Sequence, residues 1–179
     1  MAVQEVIKMG HPILLEPAKE VADLNSPELK QLLIDMKDTM RALDGVGLAA
    51  PQIAVGLRVM IFGVEESERY PDMEPVPETI LINPEYSVIN PEKESDWEGC
   101  LSVPDMRGLV PRYKGIRYRG YDSGGKLVER EAYDFHARVF QHEFDHLNGI
   151  LYPQRIENMK SFGFEDSLNY EHHVPQEEI

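Results

Sequence analysis

Between Leu29 and Leu43 the apolar residues Leu29, Leu32, Leu33, Met36, Met40 and Leu43 recur at steps of three and four, the period of a helix that buries one face. Ser26-Pro27-Glu28 ahead of them supplies a hydroxyl cap, a proline at the first helical position and an acid in the first turn. The pattern predicts an amphipathic helix ending near Asp44-Gly45, with its methionines in the core. Farther along, the period shortens. Arg58 to Val64, Thr79 to Asn83, Tyr86 to Ile89, Ile116 to Tyr121 and Leu127 to Tyr133 are short β-rich runs punctuated by Pro, Gly and Asn, and Asp122-Ser123-Gly124-Gly125 reads as a hairpin turn. Helical patterning returns from Asp134 to Leu147, with Gly149 as its stop. A weaker helix is expected from about Ile156 to Leu168. Helix, then several antiparallel strands, then helix is the order of an α+β fold.

The chain has 179 residues, 42% of them hydrophobic and 28% charged, which is ordinary for one soluble domain with a real core. No run is long and apolar enough for a membrane span, and Met1 to Gly10 lacks the apolar centre of a signal peptide, so a cytoplasmic location is expected. The single cysteine, Cys100, excludes an internal disulfide and fits a reducing compartment. A net charge of −14 argues against direct nucleic-acid binding and against anionic membranes. Much of that charge is local. Glu65 to Glu78, with Pro71, Pro75 and Pro77, and the stretch from about Glu165 to Ile179 are acidic, and both read as solvated loop and tail.

The chemistry concentrates in His142-Glu143-Phe144-Asp145-His146. Positions i and i+4 of a helix share a face, so His142 and His146 can grip one ion while Glu143 stands beside its open position as a proton acceptor. Such a match arises by chance in about two percent of chains of this length and composition. Two histidines leave a metal site incomplete, because a catalytic ion takes three protein ligands and a structural one four. Downstream candidates are Glu157, Glu165, Glu171, His172 and His173; the upstream candidate is Cys100, in Glu98-Gly99-Cys100-Leu101-Ser102. A thiolate there suits iron(II) or zinc, and the backbone N–H of Leu101 is placed to meet an oxyanion. A third stretch, Gly45-Val46-Gly47-Leu48-Ala49-Ala50-Pro51-Gln52, has the small residues that allow close backbone approach, and Gln52 can polarise a carbonyl. Residue chemistry alone leaves three readings: a hydrolase using Cys100 as third ligand, a zincin-like metallopeptidase with a downstream ligand, or a non-enzymatic metal-stabilised module.

Taken in order, the Gly45–Gln52, Glu98–Ser102 and Gln141–Leu147 stretches resemble the three signature motifs of the peptide deformylases. The resemblance extends to Gly10-His11-Pro12-Ile13-Leu14 and to Val103–Arg112, and so spans the chain to about Tyr152. It implies antiparallel sheets packed around the motif-bearing helix, and hydrolysis of the formyl group from the N-terminal formyl-methionine of nascent bacterial proteins. It further implies that Cys100, His142 and His146 hold one divalent ion, Fe2+ natively, with Zn2+, Ni2+ or Co2+ as substitutes. Water activated at that ion would attack the formyl carbon, with Glu143 as general base and then acid, and Gln52 and the Leu101 N–H as oxyanion donors. Gly47 would bind the substrate backbone beside Gly99, and Val46, Phe135 and Val139 would wall the methionine pocket.

Arg107 and Arg112 follow the Cys100 turn, and Arg107 is a candidate for orienting the peptide. His11 and His136 read as structural; His136 lies about 120° from the ligand stripe on a helical wheel. Some peptide deformylases carry a basic C-terminal helix for ribosome docking, whereas beyond Arg155 only Lys160 is basic here. Any ribosome contact is therefore expected to be transient and not to use such a helix. The acidic Glu65–Glu78 loop also looks longer than in compact members of that family.

Overall fold

A computed structural model describes residues 3–64 and 75–168. The tail with Glu171, His172 and His173 lies outside the described residues, as does 65–74 of the acidic loop. Among the described residues, six strands form one antiparallel sheet: β1 (Gly47–Ala49), β2 (Val59–Val64), β3 (Val76–Cys100), β4 (Val103–Tyr121) and β5 (Leu127–Tyr133) lie side by side in chain order, and β6 (Phe162–Phe164) pairs with β4. With them go the α-helices α1 (Pro27–Ala42) and α2 (Asp134–His146), which make the architecture α+β.

Helix α1 starts where its cap chemistry puts it: Ser26 Oγ accepts the Leu29 N–H at 3.2 Å and Pro27 occupies the first turn. Leu29, Leu32, Leu33, Met36 and Met40 are buried in one cluster with Leu48, Val59 and Ile61. Leu43, last in the periodic series, caps the helix and stays exposed.

Helix α2 is different, because its buried set includes Arg138, Gln141, Glu143, Asp145 and His146 as well as apolar residues. It packs against β4, β1, β2 and β5. Phe140 anchors it, stacked on Tyr118 of β4 with ring centroids 4.6 Å apart. Burying so many polar groups is tolerable only where they find partners, which marks this helix as the place to look for chemistry. The chain leaves α2 through Gly149 at φ +71°, where a Cβ would lie 2.6 Å from the backbone carbonyl of Leu15. Glycine is required there both by conformation and by space.

Two expectations change. The runs 79–83 and 86–89 are parts of one strand, β3, and β4 extends from 116–121 back to Val103. Register shifts between Ile82 and Glu85 and between Asn90 and Lys93 absorb Pro84 and Pro91, so prolines that punctuate the sequence bend the strand without ending it. The helix expected over Ile156–Leu168 is absent. In its place are short 3-10 turns at Tyr152–Arg155 and Met159–Ser161, then β6, which pairs Phe164 with Met106 and Phe162 with Gly108. Gly163 would weaken a helix interior, while Phe162-Gly163-Phe164 satisfies backbone groups along β4 that would otherwise lack partners.

Candidate metal centre and cleft

Three elements deliver the candidate residues to one place. Cys100 ends β3 at the tight turn into β4, where it pairs with Val103. His142 and His146 project from one face of α2. Gln52 comes from the 3-10 turn Ala50–Ile53 that follows β1. The donor atoms of Cys100, His142 and His146 all lie within 4.8 Å of one another, and among the described residues this is the group able to hold a metal ion. Cys100 Sγ is 3.3 Å from His146 Nε2 and 3.4 Å from the Ser102 N–H.

The environment fixes which atoms face inward. His142 Nδ1 lies 2.8 Å from Glu98 Oε2; a carboxylate only accepts, so Nδ1 carries a proton and Nε2 is the ring nitrogen left for a ligand. Glu98 is bound bidentately by Arg112 (Nε to Oε1 and Nη2 to Oε2, both 2.9 Å) and again by Arg138 Nη1 to Oε1 at 2.9 Å. Burial opposes its ionisation, but the Arg112 charge and hydrogen bonds, aided by His142, hold it well below the usual carboxylate range. Arg112 also reaches Asp145 at 2.5 Å, and Asp145 is held from outside by Arg155 at 2.7 Å. Tyr152 covers the His142 ring with its own, tilted by 24°.

Gln52 is oriented just as firmly. Its Oε1 accepts the Ala49 N–H at 2.8 Å, so its NH2 must face Cys100 Sγ (3.5 Å) and Ser102 Oγ (3.3 Å). Glu143 is 4% exposed, and burial pushes its carboxyl up to about 7. Its Oε2 and His146 Nδ1 are buried polar atoms without a hydrogen-bond partner. A Cβ on Gly47 would fall 2.6 Å from Glu143 Cδ, so a glycine at 47 is what lets this carboxylate lie against β1.

A cleft of about 330 Å³ opens over these groups. Val46, Gly47, Gln52, Gly99, Cys100, Leu101, Phe135, Val139, His142 and Glu143 line it, as do Leu43 and Trp97. His146 sits behind it at 1% exposure. Arg107 is also behind the wall: its Nε donates to Glu165 at 2.8 Å, and Glu165 rather than Arg107 borders the cleft. His136 is a packing residue, with Nε2 3.2 Å from the Tyr118 hydroxyl. Of the downstream ligand candidates, neither Glu157 nor Glu165 joins the donor group.

Thiolate, imidazole and imidazole form a donor set suited to a borderline divalent ion, and the orphaned polar atoms beside it fit a group that a metal and its substrate complete. Residue reasoning did not assign Glu98, Arg138 or Tyr152 to this site. The available signal for Arg138 was its place four residues before His142, on the same helix face; for Glu98 and Tyr152 it was only proximity to motif residues.

The chain is similar to known proteins over most of its length. The family model for polypeptide deformylase matches residues 3–162. Peptide deformylase 1 of Nitrosomonas europaea is 58% identical over 93% of this chain and 94% of its own length. Peptide deformylase 1 of Xanthomonas campestris is 54% identical over 94% and 99%. Among solved structures, the Met-Ala-Ser-bound class I type b peptide deformylase of Acinetobacter baumannii superposes with a TM-score of 0.83 at 41% identity, covering 87% of this chain and 99% of that one.

Proposed function

The chain belongs to the peptide deformylase family, and from that premise we propose that it removes formyl from the N-terminal formyl-methionine of new polypeptides by metal-assisted hydrolysis in the cleft beneath α2. The observation that carries the reading is the convergence of Cys100, His142 and His146 donors within 4.8 Å in a family that is metal-dependent. These three residues would hold one divalent ion, Fe2+ by the family resemblance, with Zn2+, Ni2+ or Co2+ as substitutes. Such an ion, when bound, polarises a carbonyl oxygen and makes water a stronger acid.

The remaining steps fall to the protein. Glu143 takes a proton from the attacking water and later returns it to the departing amine, and its burial, which favours the protonated carboxyl, helps it hold that proton between the two steps. As water oxygen bonds to the formyl carbon, charge gathers on the formyl oxygen. Gln52 Nε2, aimed by the Ala49 hydrogen bond, and the Leu101 N–H donate to it; each such donor is worth about 3 kcal/mol of barrier. The carbon–nitrogen bond then breaks, giving formate and a free α-amine. Gly47 and Gly99 offer backbone to the peptide, and Val46, Phe135 and Val139 enclose the methionine side chain. Arg107 enters this scheme through Glu165, which it orients at the cleft edge. The tripeptide of the Acinetobacter structure begins with methionine, as the product here would.

The test is formate release from a formyl-Met tripeptide by anaerobically prepared, Fe2+-loaded protein, with an acetyl-Met tripeptide and Glu143→Ala as controls. Release from the formyl peptide alone, lost in the variant, supports the reading. A fully metallated protein that releases no formate refutes it. Cys100→Ser should abolish or alter the metal site; an unchanged site would remove Cys100 from the ligand set.

A further inference from the structure

Arg138 is not among the residues assigned a role above, yet its bonds cross the site's main seam. It lies one helical turn before His142 on the same face of α2, and both point at one carboxylate: Arg138 Nη1 bonds Glu98 Oε1 at 2.9 Å and His142 Nδ1 lies 2.8 Å from Oε2. The same guanidinium donates to Val110 O on β4 at 2.8 Å and to Glu94 O on β3 at 2.6 Å. It is 6% exposed. At least three of its bonds therefore run from the helix that carries both imidazoles to the two arms of the hairpin whose turn carries Cys100.

We propose that Arg138 is a positioning residue for the metal-binding triad: it fixes α2 against the β3–β4 hairpin and holds Glu98 against His142. Three donors drawn from two separate elements form one site only while those elements keep their spacing. Arg112 cannot supply this alone, because its single charge is divided between Glu98 and Asp145. Arg138 gives Glu98 a second cation and grips backbone carbonyls, which side-chain rotation cannot move. Its rigid planar fork matches three acceptors at once, which the single ammonium of a lysine does not.

The inference rests on the metal reading above, and Co2+ alone is the probe that separates the two. Full-length protein and its variants are loaded anaerobically with Co2+; the thiolate-to-cobalt absorption band is recorded, and transfer of Co2+ to excess chelator is timed. Arg138→Met should retain the fold by circular dichroism but release Co2+ 10–100-fold faster with a changed band, the range for groups that orient metal ligands. Arg138→Lys should fall between it and the wild type. Because part of the effect runs through Glu98, Arg138→Met should cost less in a Glu98→Gln background than in the wild type. Release within twofold of wild type and an unchanged band in Arg138→Met would overturn the proposal. So would a raised KM with Co2+ release unaltered, which would make Arg138 a substrate contact. If Arg138→Met does not fold, Arg138→Lys decides by the same twofold limit. A wild-type protein lacking the thiolate band would instead sink the metal reading, and the proposal with it.

Discussion

Gly47→Ala should separate activity from stability. The added methyl carbon would lie 2.6 Å from Glu143 Cδ and 2.8 Å from Cγ, roughly 1 Å inside a normal carbon–carbon contact of about 3.5–4.0 Å. Gly47 is not at a positive φ, so alanine meets no backbone penalty and the clash must be relieved by the Glu143 carboxylate. Nothing among the described residues holds Glu143 Oε2, so the side chain can turn away at small expense. The stability loss is expected near the low end of the overpacking range, about 1 kcal/mol. Activity should suffer more: a general base contributes about 10²–10⁴ in rate, and a misplacement on the order of 1 Å about 10². The expected outcome is a kcat/KM lower by about 100-fold, equivalent to roughly 2.7 kcal/mol, with metal content unchanged. Formate release and urea denaturation measure the two quantities. In a Glu143→Ala background the same substitution should subtract little more than about threefold. Activity within threefold of wild type, or full additivity with Glu143→Ala, would refute the argument that Gly47 makes room for the base.

Glu98→Ala should destabilise the fold by about 3–5 kcal/mol, because Arg112 and Arg138 lose a buried counter-charge, and weaken metal binding about 10–100-fold; urea titration and chelator competition would expose a smaller effect. Burial, then the nearby Arg130 charge, pulls His136 down to about 4. Its folded pKa lies below its unfolded value of about 6.5, so the unfolded chain protonates first: the stability is complete above about 6.5 and drains away as pH falls toward 4. Discounted for partial exposure, the loss is about 1–2 kcal/mol, and His136→Gln should flatten this part of the stability–pH curve; an unchanged slope would contradict the assignment. Gly149→Ala should cost about 2–3 kcal/mol from its φ of +71° and the Leu15 backbone contact. The kcat of its folded fraction should match wild type, and a large fall would tie that turn to the site.

Local patterning was enough for α1, α2 and β5, since each is specified by residues within its own span: a Ser26 cap, a 3.6-residue period, a hairpin turn at Asp122. Residue types and the order of the motifs also nominated Cys100, Gln52, Glu143 and the two histidines, and the fold brings the Cys100, His142 and His146 donors within 4.8 Å of one another. Local patterning misjudged the segment after Ile156. A few apolar residues can satisfy a helix or a strand equally, and the open edge of β4, about fifty residues earlier in the chain, decided between them. It could not join 79–83 to 86–89 across Pro84 either, because a bulge is stable only when a partner strand supports it. Nor could any sequence spacing reveal that Glu98 meets His142, that Arg138 ties α2 to both arms of a hairpin, or that Gly47 is empty so that Glu143 can lie against it. The sequence by itself determined which groups could do chemistry and that one helix would bear His142, Glu143 and His146. Tertiary structure alone decided their protonation, their aim and their spacing, because burial and long-range pairing act only between segments that folding brings together.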